Sequence, residues 1–236
     1  MEFKNKKTLI PVIHVVTKEH LMDNMRKINK IGIQHVFLIS HGYMGAKELI
    51  KAQKALKETF PNIWIGVNFL DIKSYEVFNV LKNDIEYLDG IWIDNSHVGI
   101  NIEEEYEKKL LKAKKEANFS GTYFGGVAFK YCLQPLNLRE TCIEAKDKMD
   151  IITTSGPGTG ESADLEKIKL MKEAINDAPL AIASGISSKN VNEYLKYIDI
   201  FLVASSIEES NGVLDYKKTE ELYLKIKNYK LEEEKA

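Results

Sequence analysis

The stretch Ile151–Ile186, IITTSGPGTGESADLEKIKLMKEAINDAPLAIASGI, decides the fold. It opens with a short run rich in β-branched residues, Ile151 to Ser155, which reads as a strand. Gly156, Gly158 and Gly160 then punctuate a loop around Pro157 and Thr159. Leu165, Ile168, Met171 and Ile175 recur at steps of three or four, which makes one apolar stripe of a helix. Ser162 stands where a helix cap is expected, and Asp164 and Glu166 sit where the helix dipole favours acids. A second apolar run, PLAIAS from Pro179, follows directly. Strand, helix, strand in this order is a parallel crossover unit.

Working outward, the same unit recurs along the whole chain. Apolar runs start at Leu9, His35, Ile63, Gly90, Thr122 and, after the quoted stretch, at Ile200. In each run both residue parities are apolar, as in strands buried on two faces. Between them lie amphipathic stripes: Leu21, Met25 and Ile28; Leu49, Ala52 and Leu56; Val77, Val80 and Leu81; Tyr106, Leu110 and Ala113; Leu138, Cys142 and Ala145; Val191, Tyr194, Leu195 and Ile198; Leu222, Ile226 and Tyr229. Thr17 and Asp215 stand at capping positions of the first and last helices. Eight strands alternating with eight helices predict an α/β protein of one domain, a (β/α)8 TIM barrel spanning 1–236, with a charged tail at 230–236 expected to fray. An open doubly wound sheet is the alternative.

Composition narrows the chemistry. The chain has 236 residues with a formal net charge of −2, which argues against a nucleic-acid partner. Of its 33 basic residues only Arg26 and Arg139 are arginine. An anion site must therefore rest on backbone N–H groups, hydroxyls or lysine rather than on guanidinium forks. Two cysteines, Cys132 and Cys142, match no zinc or redox spacing, and no histidine motif predicts a metal. The first apolar run is short and interrupted by Pro11 and His14, so no membrane span or signal peptide is expected. A cytoplasmic setting follows as the default, and no cofactor is expected.

A TIM barrel carries its site at the C-terminal strand ends. These ends offer His14, Asn68, Asp94, Thr154, Ser184, Gly185, Ser205 and Ser206, with His41 just beyond the second strand. Asp94, after a Trp-Ile run, and the two histidines are candidates for proton transfer. Thr154, Ser184 and Asn68 are candidates for orienting a polar substrate. Gly156 and Gly158, together with Gly185, Ser205 and Ser206 in the loops after strands seven and eight, are candidates for holding a phosphate by backbone donors. Lys130, at the fifth strand end, is the alternative nucleophile of a phosphosugar aldolase.

The runs TTSGPGTGESADLEKIKLMKEA and IASGISSKNVNEYLKYIDIFLVASSI resemble the BtpA/SgcQ family of phosphate-binding barrels. The first strand, IPVIHVVTKEH, departs from the family's His-Pro-Pro opening. Members are sometimes labelled phosphoribosyltransferase-like, so the resemblance implies a transferase-type enzyme of nucleotide metabolism whose ligand is a nucleotide or phosphoribosyl compound, with Gly185, Ser205 and Ser206 at its phosphate. The alternative that the resemblance keeps open is a non-catalytic barrel that binds a phospholigand or assists assembly of another protein. The tyrosines Tyr194, Tyr197, Tyr216, Tyr223 and Tyr229 leave open whether the last two helices pack inward or form a homo-oligomer face.

Overall fold

Each strand gives alternate residues to two different apolar layers, which is why both parities are apolar in the sequence. The computed structural model describes residue 3 and residues 6–40, 45–210 and 212–229. Eight parallel strands close into a barrel in sequential order, with β8 pairing back onto β1. They are β1 (Thr8–Val15), β2 (His35–Ser40), β3 (Trp64–Asn68), β4 (Gly90–Ile93), β5 (Thr122–Gly126), β6 (Ile151–Ser155), β7 (Leu180–Ala183) and β8 (Ile200–Val203). The helices are α1 (Lys18–Ile31), α2 (Ala46–Thr59), α3 (Val77–Leu81), α4 (Glu104–Glu116), α5 (Leu138–Ala145), α6 (Leu165–Ile175), α7 (Val191–Tyr194) and α8 (Tyr216–Lys227). The chain is thus a single (β/α)8 barrel. Its 230–236 tail and His41 lie outside the described residues.

Two helices are shorter than their stripes. α3 is one turn framed by 3-10 turns, and it buries Val77, Phe78 and Leu81 while Val80 is exposed. α7 is also a single turn, and Leu195 and Ile198 complete its buried face from the following segment. Tyr194 packs inward, its hydroxyl donating to the Ala163 carbonyl at 2.6 Å. Thr17 and Asp215 cap α1 and α8 as expected. The cap of α6 is Asp164 rather than Ser162, because Ser162 Oγ is engaged with the β7 loop, donating to Gly185 O at 2.8 Å.

The barrel interior is lopsided. Phe37, Trp64, Trp92 and Phe124 fill it from β2 to β5, joined from below by Phe3 and from above by Phe129. These rings meet mostly edge to face, the geometry their quadrupoles favour. They interlock with Gly66 and Gly90, where a Cβ would lie 2.4 Å from the Phe37 ring and 2.2 Å from the Trp64 ring. On β6 to β8 the inner residues are smaller, among them Ala181 and Ala183, with Ala204 at the rim. Space therefore remains at the top of the barrel on the β7–β8–β1 side.

The lower rim carries a repeating clamp that the sequence reading did not anticipate. Asp89, Asp150 and Asp199 each stand just before an even-numbered strand. Each accepts a backbone N–H at the start of the preceding odd strand: Ile65 at 2.7 Å, Tyr123 at 2.8 Å and Leu180 at 3.0 Å. A lysine from the last turn of α2, α4 or α6 joins each one: Lys57 at 2.8 Å, Lys114 at 3.8 Å and Lys172 at 2.7 Å. The clamps hold β3 to β4, β5 to β6 and β7 to β8.

Between β8 and α8 the chain adds a small antiparallel hairpin, β9 (Glu208–Ser210) and β10 (Val213–Leu214). Asn24 of α1, fully buried, anchors it. Its Nδ2 donates to Gly212 O at 2.7 Å, and its Oδ1 accepts from Leu214 N at 2.8 Å. A Cβ on Gly212, which has φ +77°, would lie 2.6 Å from His14 O, so the hairpin presses closely on β1.

Candidate active site

The unfilled side of the barrel mouth forms a cavity of about 390 Å³. His14 from β1, Lys130 from the β5 loop, Ser184 to Ser187 after β7 and Ala204 to Ser206 after β8 line it. The loop after β7 turns through two successive residues in the left-handed region, Ser184 (φ +78°) and Gly185 (φ +69°). For serine that conformation is strained and must be held by its surroundings. Lys130 Nζ donates to Ser184 Oγ at 2.8 Å and to Thr159 Oγ1 at 3.3 Å. Gly185 has a packing reason to be glycine: a Cβ there would lie 2.3 Å from Ser162 N in the β6 loop. Asn190 Nδ2 locks the same contact, donating to Gly185 O at 2.8 Å and Ser162 Oγ at 2.9 Å. Ser206 Oγ donates to Ile186 O at 2.5 Å and ties the β8 loop to the β7 loop. Ser205 opens a 3-10 turn, Ser205–Ile207, and is exposed at the cavity.

His14 is held from behind. Its Nδ1 lies 2.9 Å from Glu208 Oε1, delivered by the β9–β10 hairpin. A carboxylate on Nδ1 fixes the tautomer with the proton there and leaves Nε2 as the basic nitrogen. Glu208 was not found in the sequence. It lies 194 residues from His14, and only the closure of β8 onto β1 brings them together.

Asp94 and Asn68 face a second, smaller cavity of about 180 Å³, with Trp92 lining both spaces. Asn68 Nδ2 donates to Asp94 Oδ1 at 2.9 Å. Burial pushes the Asp94 carboxyl above its ordinary range, opposed in part by the Asn68 hydrogen bond and the positive charge of Lys130. The neighbouring Cys132 thiol is pushed up to about 11 by burial and by Asp94.

Three expected residues are placed elsewhere. Thr154 is fully buried and points away from the barrel axis, because alternation puts Ile151, Thr153 and Ser155 on the inner face. Gly156 and Gly158 serve the loop itself: a Cβ would lie 2.0 Å from Glu161 O at the first and 2.4 Å from Glu161 Oε1 at the second. Thr159 and Gly160 of that loop line the cavity instead. His97, three residues past Asp94, is buried against Glu103 and Ser74. Among the described residues no group of three His, Cys, Asp or Glu side chains is placed to hold a metal ion, and no helix is long and apolar enough to cross a membrane.

Residues 48–227, which include every strand from β3 onward and both phosphate-candidate loops, match the model of the BtpA family. The chain belongs to the BtpA family. Among its relatives is an uncharacterized protein of Methanocaldococcus jannaschii, MJ1115, 27% identical over 180 residues that cover 72% of this chain and 67% of that one. The BtpA-family barrel is similar in fold to KDPG aldolase from Legionella pneumophila, solved with pyruvate captured as a covalent carbinolamine intermediate. That likeness has a TM-score of 0.65 and 16% identity over 94% of both chains. It is also similar to phosphoribosyl anthranilate isomerase from Thermus thermophilus, with a TM-score of 0.63 and 16% identity over 92% of this chain and 96% of that one. At these identities the structural likeness establishes the fold and nothing finer.

Proposed function

We propose that this BtpA-family protein is an enzyme acting on a phosphorylated small molecule, a nucleotide or phosphoribosyl compound. The observation that carries the reading is that one cavity gathers the loops after β7 and β8, a lysine amine and a carboxylate-backed histidine. The phosphate sits at Gly185 and at Ser205–Ser206, on backbone donors of small residues, with Lys130 supplying the positive charge that arginine would otherwise bring. Ser184 and Asn68 orient the rest of the substrate. His14 moves a proton at Nε2, with Glu208 holding its ring, and Asp94 serves as the second acid–base group.

Thermal unfolding with ribose 5-phosphate, nucleoside monophosphates and their dephosphorylated counterparts tests the reading. The phosphorylated ligands should stabilise by about 2.7 kcal/mol at a hundred times their dissociation constant, and the dephosphorylated ones should not. Equal shifts for both sets overturn it. Stabilisation with no conversion of any ligand, followed by mass analysis, would instead support a phospholigand-binding or assembly-type barrel.

One observation favours an aldolase as the second reading: the amine of Lys130 reaches the cavity beside Ser184 and Thr159. The Legionella aldolase forms a carbinolamine with pyruvate, and among the described residues Lys130 is the lysine that lines the cavity. Borohydride reduction in the presence of pyruvate should then add the reduced adduct to Lys130, and an unmodified Lys130 removes this reading.

A further inference from the structure

A separate row of side chains runs through the loops after β3 and β4. Glu103 Oε2 lies 2.8 Å from His97 Nδ1, and His97 Nε2 lies 2.7 Å from Ser74 Oγ. A carboxylate accepts, so the ring proton belongs on Nδ1 and Nε2 accepts from the serine hydroxyl. Asn95 supports the row twice: its Nδ2 donates to the same Glu103 oxygen at 3.1 Å, and its Oδ1 accepts from the His97 backbone N–H at 2.9 Å. His97 is 4% exposed and has φ +63°, a left-handed conformation that costs energy in a non-glycine residue. Ser74 is half-buried and lines the 180 Å³ cavity together with Asn68, Leu70, Ile72 and Asp94.

Two plain hydrogen bonds would satisfy a buried histidine, but they need not end on a hydroxyl at a cavity wall. Nucleophile to base, base to orienting carboxylate, at hydrogen-bond distance throughout, is the arrangement that activates a serine. The cavity it faces suits a short acyl group, with Leu70 and Ile72 as apolar wall and Asn68 as polar wall. We propose that Ser74, His97 and Glu103 are a nucleophilic triad that hydrolyses esters of short acyl groups, in a cavity that adjoins the β7–β8 one across Trp92 and borders the Asn68 and Asp94 side chains of the function proposed above. Ser74 Oγ attacks the ester carbonyl and its proton passes to His97 Nε2. Collapse of the tetrahedral adduct breaks the ester C–O bond, and His97 returns the proton to the leaving alkoxide. Water then attacks the acyl-serine, His97 takes its proton, and the carboxylic acid leaves as Ser74 recovers its hydrogen. Glu103 is a positioning residue, acting through His97.

The full chain is incubated with a small alkyl fluorophosphonate and the adduct is mapped by mass spectrometry, while hydrolysis of p-nitrophenyl acetate is followed in parallel. The expected result is a single adduct on Ser74, none in Ser74→Ala, and ester hydrolysis lowered on the order of a hundredfold in that variant. Glu103→Gln should slow labelling of Ser74 without abolishing it. An unlabelled Ser74 in the unaltered protein, or hydrolysis unchanged in Ser74→Ala, overturns the proposal without reference to how any variant folds. Thermal shifts with phosphorylated ligands should be the same in Ser74→Ala and the unaltered protein; loss of those shifts in the folded variant would assign Ser74 to phospholigand binding and overturn the triad reading.

Discussion

Asp94 shows what burial does to a single carboxyl. Its folded-state pKa is raised, so the protonated form is favoured by the fold. The sign follows: its contribution to stability is complete below the unfolded carboxylate pKa and is lost as pH rises through the folded one. Asp94→Asn, which cannot ionise and can still accept from Asn68, should therefore unfold at a higher temperature than the unaltered protein at pH 7. The gap should close on acidification below the ordinary carboxylate range, as read by calorimetry across pH. The same substitution should cost turnover roughly 10²- to 10⁴-fold if Asp94 is an acid–base group. A rise in stability with a loss of activity is the combination that separates a functional carboxyl from a structural one. Sequence placed Asp94, His14 and Ser184 at the upper rim, where they line cavities, because strand ends in a barrel are enumerable. It misplaced Thr154 because Thr153 and Thr154 are chemically identical neighbours in a strand buried on both faces. No polar alternation marks which of them faces the axis. Gly156 and Gly158 misled for a related reason: a glycine records a close backbone approach and not what approaches, and here it is the loop's own Glu161.

At the scale of elements, the β9–β10 hairpin is the part that sequence left unread. Three- and two-residue strands are too short to show a period, and their anchor on α1 lies almost the whole chain away. Asn24→Ala should release that anchor. It removes two buried hydrogen bonds and leaves Gly212 O and Leu214 N without the Asn24 side chain, at a cost of about 1–3 kcal/mol in a urea melt. Because the hairpin carries Glu208, the variant should also lower kcat with less effect on ligand-induced stabilisation. A variant that loses stability alone would separate the hairpin from the chemistry. The helices were legible where their stripes were long, as in α1 and α6, and least so in α3, where one turn framed by 3-10 geometry moved Val80 to the surface.

At the scale of the whole molecule, the candidate site and the aspartate clamps occupy opposite ends of the barrel. The upper rim holds strained and half-exposed groups, and the lower rim holds the three aspartate clamps. Asp199 is the clearest of these. Burial would raise its carboxyl, but Lys172, Lys7 and the Leu180 N–H together hold it below the ordinary range. Its stabilisation is present at neutral pH and is lost as pH falls through that lowered value. Asp199→Asn should cost on the order of 2 kcal/mol at pH 7, the worth of a hydrogen bond to a charged group, and the difference should shrink in acid. Activity at saturating ligand should be unaffected, since the clamp lies at the rim away from the cavity.

The spacing of the clamps also has a consequence for how the chain can be divided. Each bridges an odd strand to the even strand after it, so the seams β4 to β5 and β6 to β7 carry no such pin. The protein is in this sense assembled from paired modules, and its natural cleavage lines run between the pairs. Two polypeptides cut between α4 and β5, in the segment 117–121, would each keep the aspartate-to-strand bonds of their own clamps, with Lys114 left on the first piece. Co-expressed, they should reassociate into a working barrel, whereas a cut between α5 and Asp150, which separates Asp150 and β6 from Tyr123, should not.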